Sequence, residues 1–283
     1  MNEKLFEKLK DIRGFICDMD GVIYHGNQLL PGAKEFVAWL NEQDKNYLFL
    51  TNSSERSPRE LKEKLERMGL AVDESRFYTS ALATAKFLAG QSPGCSVYAI
   101  GEPGLINALY DSGISMNNVN PDYVVIGEST TYNYENILKA VHFIDQGARL
   151  IGTNPDLTSP SEQGIVPACG SLTAPIEIST GQKAYYVGKP NPLMVRTGIR
   201  LLGVHSEDAA IIGDRMDTDI VSGIESGMHT ILVLSGVTDL ENIKKSPYRP
   251  EFILNGVGDI PEIAKTKQEK TKVEKTKAAK KKA

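Results

Sequence analysis

The segment Asp18-Met19-Asp20-Gly21 places two carboxylates two residues apart, directly after an apolar run, Phe15–Cys17. On an extended segment the side chains at i and i+2 point to the same side, so Asp18 and Asp20 face one region. Two close negative charges repel each other unless a cation or a shared proton compensates them. An oxygen-seeking cation such as Mg²⁺ is the natural partner, and Gly21 permits a sharp turn after the pair. A solvated strand end is the alternative interpretation of this motif on its own.

Hydroxyl and amide groups follow a second apolar run in the segment Thr51-Asn52-Ser53-Ser54. These side chains and the main-chain N–H groups beside them could bind a phosphate oxygen. A plain polar turn in front of a helix is the alternative. A third apolar run is followed by Lys189, whose point charge could hold a phosphate, and Pro190 keeps that lysine extended.

Three carboxylates lie close together in the segment from Gly213 to Asp219, directly after the apolar run Ala209–Ile212. Asp214 and Asp219 are the better candidates for ligands or supporting residues of a cation site. Asp217 is interpreted as a solvated residue or as an N-terminal helix charge. Acidic, hydroxyl, basic and acidic groups thus follow four predicted strands in that order. Phosphoryl transfer to a carboxylate requires this set of groups.

The elements that must position these groups are predicted from eight short apolar runs, most of them continuous, as in strands buried on both faces. Helical patterns lie between the runs. In one of them, Ser57-Pro58-Arg59-Glu60 combines an N-cap serine, a proline at the first helical position and a capping glutamate. This alternation predicts an α/β fold with parallel sheets, in which ligands bind at the carboxyl ends of the strands. The predicted strands are Phe15–Cys17, Tyr47–Leu50, Val97–Ile100, Tyr123–Ile126, Leu150–Ile151, Tyr185–Val187, Ala209–Ile212 and Thr230–Leu234.

The charge is distributed unevenly along the 283 residues, whose formal net charge is −4. Residues 265–283 contain nine lysines and two glutamates, a net +7, so residues 1–264 carry −11. The acidic body argues against nucleic-acid binding by the folded part. The tail has too few apolar residues to offset its ordering entropy, which predicts a disordered, solubilising end. Weak attachment of the tail to an anionic surface is the alternative.

A cytoplasmic location is expected from the N-terminus and the cysteines. The first ten residues are charged and lack the apolar core of a secretion signal. No stretch approaches the roughly 20 apolar residues that a membrane span needs. The three cysteines lie far apart without metal-binding spacing, as expected for reduced and mostly buried thiols.

These motifs resemble those of the haloacid dehalogenase superfamily of phosphatases, in its NagD-like branch, subclass IIA. The resemblance covers nearly all of residues 12–258. Two further stretches narrow it to the branch, Thr153-Asn154-Pro155-Asp156 and Gly164-Ile165-Val166-Pro167. It implies a doubly wound α/β core, formed by residues 1–78 and 184–264, with an α/β cap domain inserted at residues 79–183. A homodimer formed through the cap is a further implication.

The resemblance also implies roles for individual residues. Asp18 would be the nucleophile and Asp20 the general acid and later the base. A Mg²⁺ ion would be held by Asp18, the main-chain carbonyl of Asp20 and Asp214, with Asp219 supporting the site. The phosphate would be bound by Thr51 and Lys189, helped by Asn52 and Ser53.

Hydrolysis of small phosphate monoesters through an aspartyl-phosphate intermediate is therefore the expected activity, with sugar, glycerol or nucleoside phosphates as substrates. A phosphomutase or phosphotransferase is one alternative. A receiver-type signalling protein or a non-catalytic phosphate-binding protein is another. The segment Glu128-Ser129-Thr130-Thr131-Tyr132 departs from the sequence that relatives often carry. Because we expect this loop near the substrate, substrate identity stays open.

Overall fold

The structure is a computed structural model that describes residues 2–162 and 164–265. The predicted disordered tail lies, apart from Lys265, outside the described residues. The chain divides into two compact units, the first formed by residues up to Tyr47 together with those from Leu202, the second by Leu48–Leu201. The boundaries between the two units, after Tyr47 and before Leu202, differ from the domain boundaries expected at residues 78 and 184. The expected domain boundaries stay a prediction.

Strands and helices alternate along most of the described chain, as the sequence predicts. The strands are β1 (Gly14–Cys17), β2 (Tyr24–His25), β3 (Gln28–Leu29), β4 (Asn46–Thr51), β5 (Phe77–Thr79), β6 (Ser96–Ile100), β7 (Ser115–Met116), β8 (Tyr123–Ile126), β9 (Arg149–Gly152), β10 (Thr158–Ser161), β11 (Gly164–Pro167), β12 (Tyr185–Tyr186), β13 (Ala209–Gly213), β14 (His229–Val233) and β15 (Phe252–Leu254). The helices are α1 (Asn2–Asp11), α2 (Ala33–Glu42), α3 (Pro58–Arg67), α4 (Ser80–Gln91), α5 (Pro103–Asp111), α6 (Tyr134–Asp145), α7 (Cys169–Thr180), α8 (Pro192–Leu202), α9 (Val221–Glu225) and α10 (Leu240–Lys245).

The first unit contains four parallel strands in the order β15-β14-β13-β1. Every residue of β1 and of β13 is buried, which explains why both read as continuous apolar runs. Helix α2 adds Phe36 and Trp39, which stack on each other and meet the ring of Phe15 edge-on. These rings form part of the apolar core of the unit.

The second unit is also built from parallel strands. Strands β4 and β5 pair in parallel, and a separate five-stranded sheet has the order β12-β9-β8-β6-β7. The side chains of Ile100, Val124 and Ile126 from this sheet form a core cluster with Phe143 and Ile144 of α6. The α/β class and the parallel sheets predicted from the sequence are confirmed.

Two short antiparallel pairs are exceptions to this pattern, β2 with β3 and β10 with β11. Among the residues that the structure describes, no helix combines the length and the apolar character needed to cross a lipid bilayer.

The predicted start of α3 is confirmed as a capping box. The main-chain N–H of Glu60 donates to Ser57 Oγ at 3.3 Å, and Glu60 Oε2 accepts from the Ser57 N–H at 2.8 Å. Pro58 occupies the first turn, where its missing N–H costs nothing. The main-chain N–H of Ser57, followed by its hydroxyl, lowers the pKa of the Glu60 carboxyl group.

We expect Ser57→Ala to lower the free energy of unfolding by about 1 kcal/mol at neutral pH, because the N-cap acceptor is lost. A lowered folded-state pKa stabilises the fold above the unfolded pKa, and this contribution disappears as the pH falls through the folded pKa. The difference between the two proteins should therefore shrink in acid. Urea denaturation at neutral and acidic pH measures it.

Ser226→Ala is the matched control, since within the described part of the chain the Ser226 hydroxyl has no hydrogen-bond partner. Equal losses of stability in the two variants would contradict the capping role of Ser57.

Candidate functional site

An acidic cluster lies in the first unit at the carboxyl ends of two adjacent strands. Strands β1 and β13 are paired with Cys17 opposite Ile212, so the residues that follow them emerge at the same edge of the sheet. The main-chain N–H of Asp18 continues this pairing to Ile212 O at 2.8 Å. One carboxylate oxygen from each of Asp18, Asp214 and Asp219 lies within 4.8 Å of the other two. The structure thus brings together three of the residues predicted for the cation site.

The carboxylate of Asp214 is fixed from several directions and is only 1% exposed. Its Oδ2 accepts from the Val237 N–H at 2.7 Å, and its main-chain oxygen accepts from Thr238 at 3.1 Å. Gly21 and Gly236 lie against this carboxylate, and the absence of side chains at these two residues makes room for it. A Cβ atom would lie 2.0 Å from Asp214 Oδ2 if built on Gly236, and 2.7 Å if built on Gly21. Any side chain at Gly236 would therefore displace Asp214.

A π-helical turn, Met216–Ile220, brings Asp219 back towards the end of β13. Asp219 is fully buried, and its Oδ2 accepts from the Arg215 N–H at 3.1 Å. Asp217 instead forms an ion pair with Arg215 at 2.9 Å, and its side chain is 68% exposed. The interpretation of Asp217 as a solvated residue agrees with this position.

Asp20 lies in the turn that follows β1 and is partly exposed. The N–H of Gly21 donates to Tyr24 O at 2.8 Å, and Gly21 has a positive φ of 78°, which closes the turn. The Oδ1 atom of Asp20 lies 3.7 Å from His25 Nδ1. His25 could not be recognised as a neighbour of Asp20 from the sequence, because no second histidine or metal-binding spacing accompanies it.

The acidic cluster fits a hard divalent cation. Two of its three carboxylates are buried, and burying several negative charges this close together requires a compensating positive charge. All the donor atoms are oxygens, the ligands that Mg²⁺ and similar cations prefer.

The second unit contains a buried polar network centred on Asn52, which follows strand β4. The Asn52 amide pairs with the main chain of Lys189, its Oδ1 accepting from the Lys189 N–H at 2.8 Å and its Nδ2 donating to Lys189 O at 3.0 Å. The same Nδ2 donates to Asp156 Oδ2 at 3.0 Å. A Cβ atom on Gly188 would come within 2.8 Å of Asn52 Oδ1, so a glycine precedes the lysine.

Lys189 is 2% exposed, and its ammonium group donates to Leu50 O at 3.1 Å. Thr51 and Ser53 belong to the same turn, where Thr51 Oγ1 accepts from the Ser53 N–H at 3.1 Å. The structure therefore brings together the four residues predicted to bind phosphate, in two segments joined by the Asn52 amide.

Glu128, directly after strand β8 and Gly127, also belongs to this network, which the sequence did not reveal. It is 8% exposed and accepts hydrogen bonds from Ser54 and Asn154. Burial, followed by the charge of Glu128, raises the pKa of the Cys169 thiol to about 11. Cys169 therefore stays protonated and is not a nucleophile at neutral pH. Cys17, Cys95 and Cys169 are all buried, as predicted.

Comparisons with known proteins agree with these motifs. A family model described as haloacid dehalogenase-like hydrolase matches residues 15–115, and one described as HAD-hydrolase-like matches residues 186–260. The chain is 44% identical over 248 residues to dihydroxyacetone phosphatase of Corynebacterium glutamicum, covering 88% of this chain and 90% of that protein. It is 42% identical over 252 residues to ribonucleotide monophosphatase NagD of Escherichia coli, covering 89% and 99%.

Solved structures resemble this one over most of their length. The structure of 4-nitrophenylphosphatase from Thermotoga maritima aligns with a TM-score of 0.87 at 36% identity, covering 91% of this chain and 99% of that one. NagD from Escherichia coli aligns with a TM-score of 0.82 at 42% identity, covering 87% and 97%. The chain belongs to the haloacid dehalogenase-like hydrolases and is a NagD-like member of that family.

Proposed function

We propose that this protein hydrolyses small phosphate monoesters, with Asp18 as the nucleophile and Mg²⁺ as the cofactor. The observation that carries the proposal is the acidic cluster, in which Asp18 supplies one of three carboxylate oxygens within 4.8 Å of one another. The names of the relatives support the reaction class, since they are dihydroxyacetone phosphatase, ribonucleotide monophosphatase and acid sugar phosphatase.

In the proposed reaction an oxygen of Asp18 attacks the phosphorus atom and the bond to the ester oxygen breaks, which leaves an aspartyl phosphate. Asp20 gives a proton to the departing alcohol, since an alkoxide is a poor leaving group. Asp20 then takes a proton from water as that water attacks the phosphorus atom. Inorganic phosphate leaves and the Asp18 carboxylate is restored.

The cofactor would be held by Asp18, Asp214 and the main-chain carbonyl of Asp20, with Asp219 supporting the site. When bound, Mg²⁺ would reduce the repulsion between the Asp18 carboxylate and the phosphate dianion. The all-oxygen donor set favours a hard cation such as Mg²⁺ over softer, sulfur- or nitrogen-preferring metals.

Binding of the phosphate is assigned to Thr51, Ser53 and Lys189. The hydroxyl and N–H groups of the Thr51–Ser54 turn would donate to phosphate oxygens, and Lys189 would contribute its charge. Because both polar atoms of the Asn52 side chain already bond to Lys189 and Asp156, we assign Asn52 the role of positioning Lys189.

Sugar, glycerol and nucleoside phosphates are the proposed substrates, accepted over a broad range. Ranking a panel of such esters by kcat/KM tests this breadth. A single ester preferred by several orders of magnitude would contradict it.

Hydrolysis of 4-nitrophenyl phosphate tests the reaction itself. We expect sustained release of nitrophenol and inorganic phosphate with Mg²⁺, loss of turnover in EDTA, and recovery when Mg²⁺ is restored, because the buried carboxylates need a cation. Full turnover in EDTA would contradict the metal requirement. Absence of turnover on the whole panel would contradict the proposed function. Conversion of a sugar phosphate to its isomer, without phosphate release, would indicate a phosphomutase.

We also propose the cytoplasm as the location, on the basis of three buried cysteines that lie far apart in the sequence without metal-binding spacing. A homodimer formed through the predicted cap stays a prediction, which light scattering of the purified protein would test.

A further inference from the structure

We propose that Glu128 is a positioning residue that holds the Thr51–Ser54 turn and Lys189 in the geometry that binds phosphate. This inference rests on the proposed function, because it assigns a purpose to the geometry of the proposed phosphate-binding groups. All the contacts that carry it lie within the second unit.

Glu128 binds the Thr51–Ser54 turn through Ser54. Its Oε2 atom accepts from the Ser54 N–H at 3.1 Å and also from the Ser54 hydroxyl. In return, the main-chain N–H of Glu128 donates to Ser54 Oγ at 3.3 Å. A Cβ atom on the preceding Gly127 would lie 2.6 Å from Ser54 Oγ, so the glycine permits this close approach. The turn is thus tied at its last residue to the end of strand β8.

The second carboxylate oxygen of Glu128 connects to the other side of the turn. Oε1 accepts from Asn154 Nδ2 at 2.6 Å, and the same Nδ2 donates to Asn52 O at 2.7 Å. The Asn52 side chain in turn pairs with the main chain of Lys189. A continuous series of hydrogen bonds therefore joins Glu128 to both proposed phosphate-binding segments.

Glu128 is a buried carboxylate, which argues that it has a specific role and is not simply a surface residue that the fold tolerates. Burying a carboxylate is costly unless it accepts good hydrogen bonds, and Glu128 accepts from one N–H, one hydroxyl and one amide. Hydrogen bonds to a charged acceptor are shorter and stronger than neutral ones. They would fix the turn more firmly than its own local bonds.

Glutamine cannot make the same set of bonds. Its single oxygen could serve Ser54, but its NH₂ group would then face the NH₂ group of Asn154. Turning the Asn154 amide around would place its oxygen against Asn52 O and would remove the acceptor that Asp156 N–H uses at 3.1 Å. Glu128→Gln is therefore expected to loosen the turn while preserving size.

The experiment compares wild type, Glu128→Gln and Glu128→Asp in the full chain. We expect the KM for 4-nitrophenyl phosphate and the inhibition constant of inorganic phosphate to rise roughly tenfold in both variants. The change in kcat should be much smaller, because binding of the phosphate is weakened equally in the ground state and in the transition state. Half-maximal Mg²⁺ activation should change less than twofold, since the Glu128 carboxylate bonds to Ser54 and Asn154 and to no residue of the acidic cluster. Glu128→Asp keeps the charge but is too short to reach both Ser54 and Asn154.

Glu102→Gln is the matched control. Glu102 also binds the 128–131 loop, with Oε1 accepting from the Thr130 N–H at 2.6 Å and the Thr130 hydroxyl at 2.8 Å, but these bonds are exposed. We expect its inhibition constant for inorganic phosphate to equal that of wild type, because the Glu102 side chain bonds to neither proposed phosphate-binding segment.

Unchanged KM and phosphate inhibition in a folded Glu128 variant would overturn the inference and leave a stabilising role only. If Glu128→Gln does not fold, Glu128→Asp decides between these outcomes. Failure of the wild type to hydrolyse any phosphate ester would instead overturn the proposed function.

Discussion

Asp18→Asn is expected to reduce the hydrolysis of phosphate monoesters by at least roughly 10³-fold, because an amide oxygen is too weak a nucleophile to form the aspartyl phosphate. The loss should appear in kcat. The fold should survive, since the main-chain bond from Asp18 to Ile212 does not involve the side chain and strand β1 is unaltered. Initial rates with 4-nitrophenyl phosphate, together with circular dichroism, measure both expectations.

Asp217→Asn provides the control for Asp18→Asn. It removes a carboxylate from the same region, but from an exposed position paired with Arg215, and should leave the rate nearly unchanged. Mass spectrometry must show that the asparagine at position 18 has not deamidated. Ordinary turnover by intact Asp18→Asn would remove Asp18 from the mechanism.

Gly236→Ala is expected to have the second-largest effect, although residue 236 has no side chain to contribute. The new Cβ would lie 2.0 Å from Asp214 Oδ2, well inside van der Waals contact, and the carboxylate would have to move. Moving it breaks the bond from the Val237 N–H and removes one member of the acidic cluster. We expect the Mg²⁺ concentration for half-maximal activity to rise at least tenfold and kcat/KM to fall by roughly a hundredfold. Activation curves and calorimetric titration with Mg²⁺ measure these effects.

Gly256→Ala is the matched control for Gly236→Ala. Neither glycine has a positive φ, so backbone strain does not contribute to the comparison. A Cβ on Gly256 would meet its nearest neighbour, Ser235 Cβ, at 4.0 Å, an ordinary contact. Equal Mg²⁺ activation in the two variants and wild type would mean that Asp214 is not a ligand.

The sequence was sufficient to predict the positions of the buried strands and the start of α3. All eight predicted strands are present. Most are continuous apolar runs that are buried, such as Ala209–Ile212, whereas β12 is not buried. The capping box was predictable because Ser57, Pro58 and Glu60 interact only with one another and the adjacent main chain. Seven short strands of the described chain were missed, namely β2, β3, β5, β7, β10, β11 and β15. Their positions depend on pairing with other strands, as β5 pairs with β4 and β15 with β14.

Prediction of the site succeeded where each residue follows directly from a strand. Asp18 and Asp214 could be placed at one edge because parallel strands end there together. Glu128 could not be recognised as a network residue, since its burial depends on Ser54 and Asn154, which are distant in sequence. For the same reason, nothing local indicated that the Asn52 amide would pair with the Lys189 main chain. Such roles depend on tertiary contacts that no local pattern encodes.

The burial of Lys189 has a consequence for chemical modification. Acylating reagents and acetyltransferases need access to an ammonium group, and acetylation removes its positive charge. The Lys189 side chain is held against Leu50 O with 2% of its surface exposed, so the folded protein shields it from such reagents. Exposed lysines such as Lys183 would be acetylated first. We therefore expect Lys189 to keep its positive charge under conditions in which exposed lysines are acetylated.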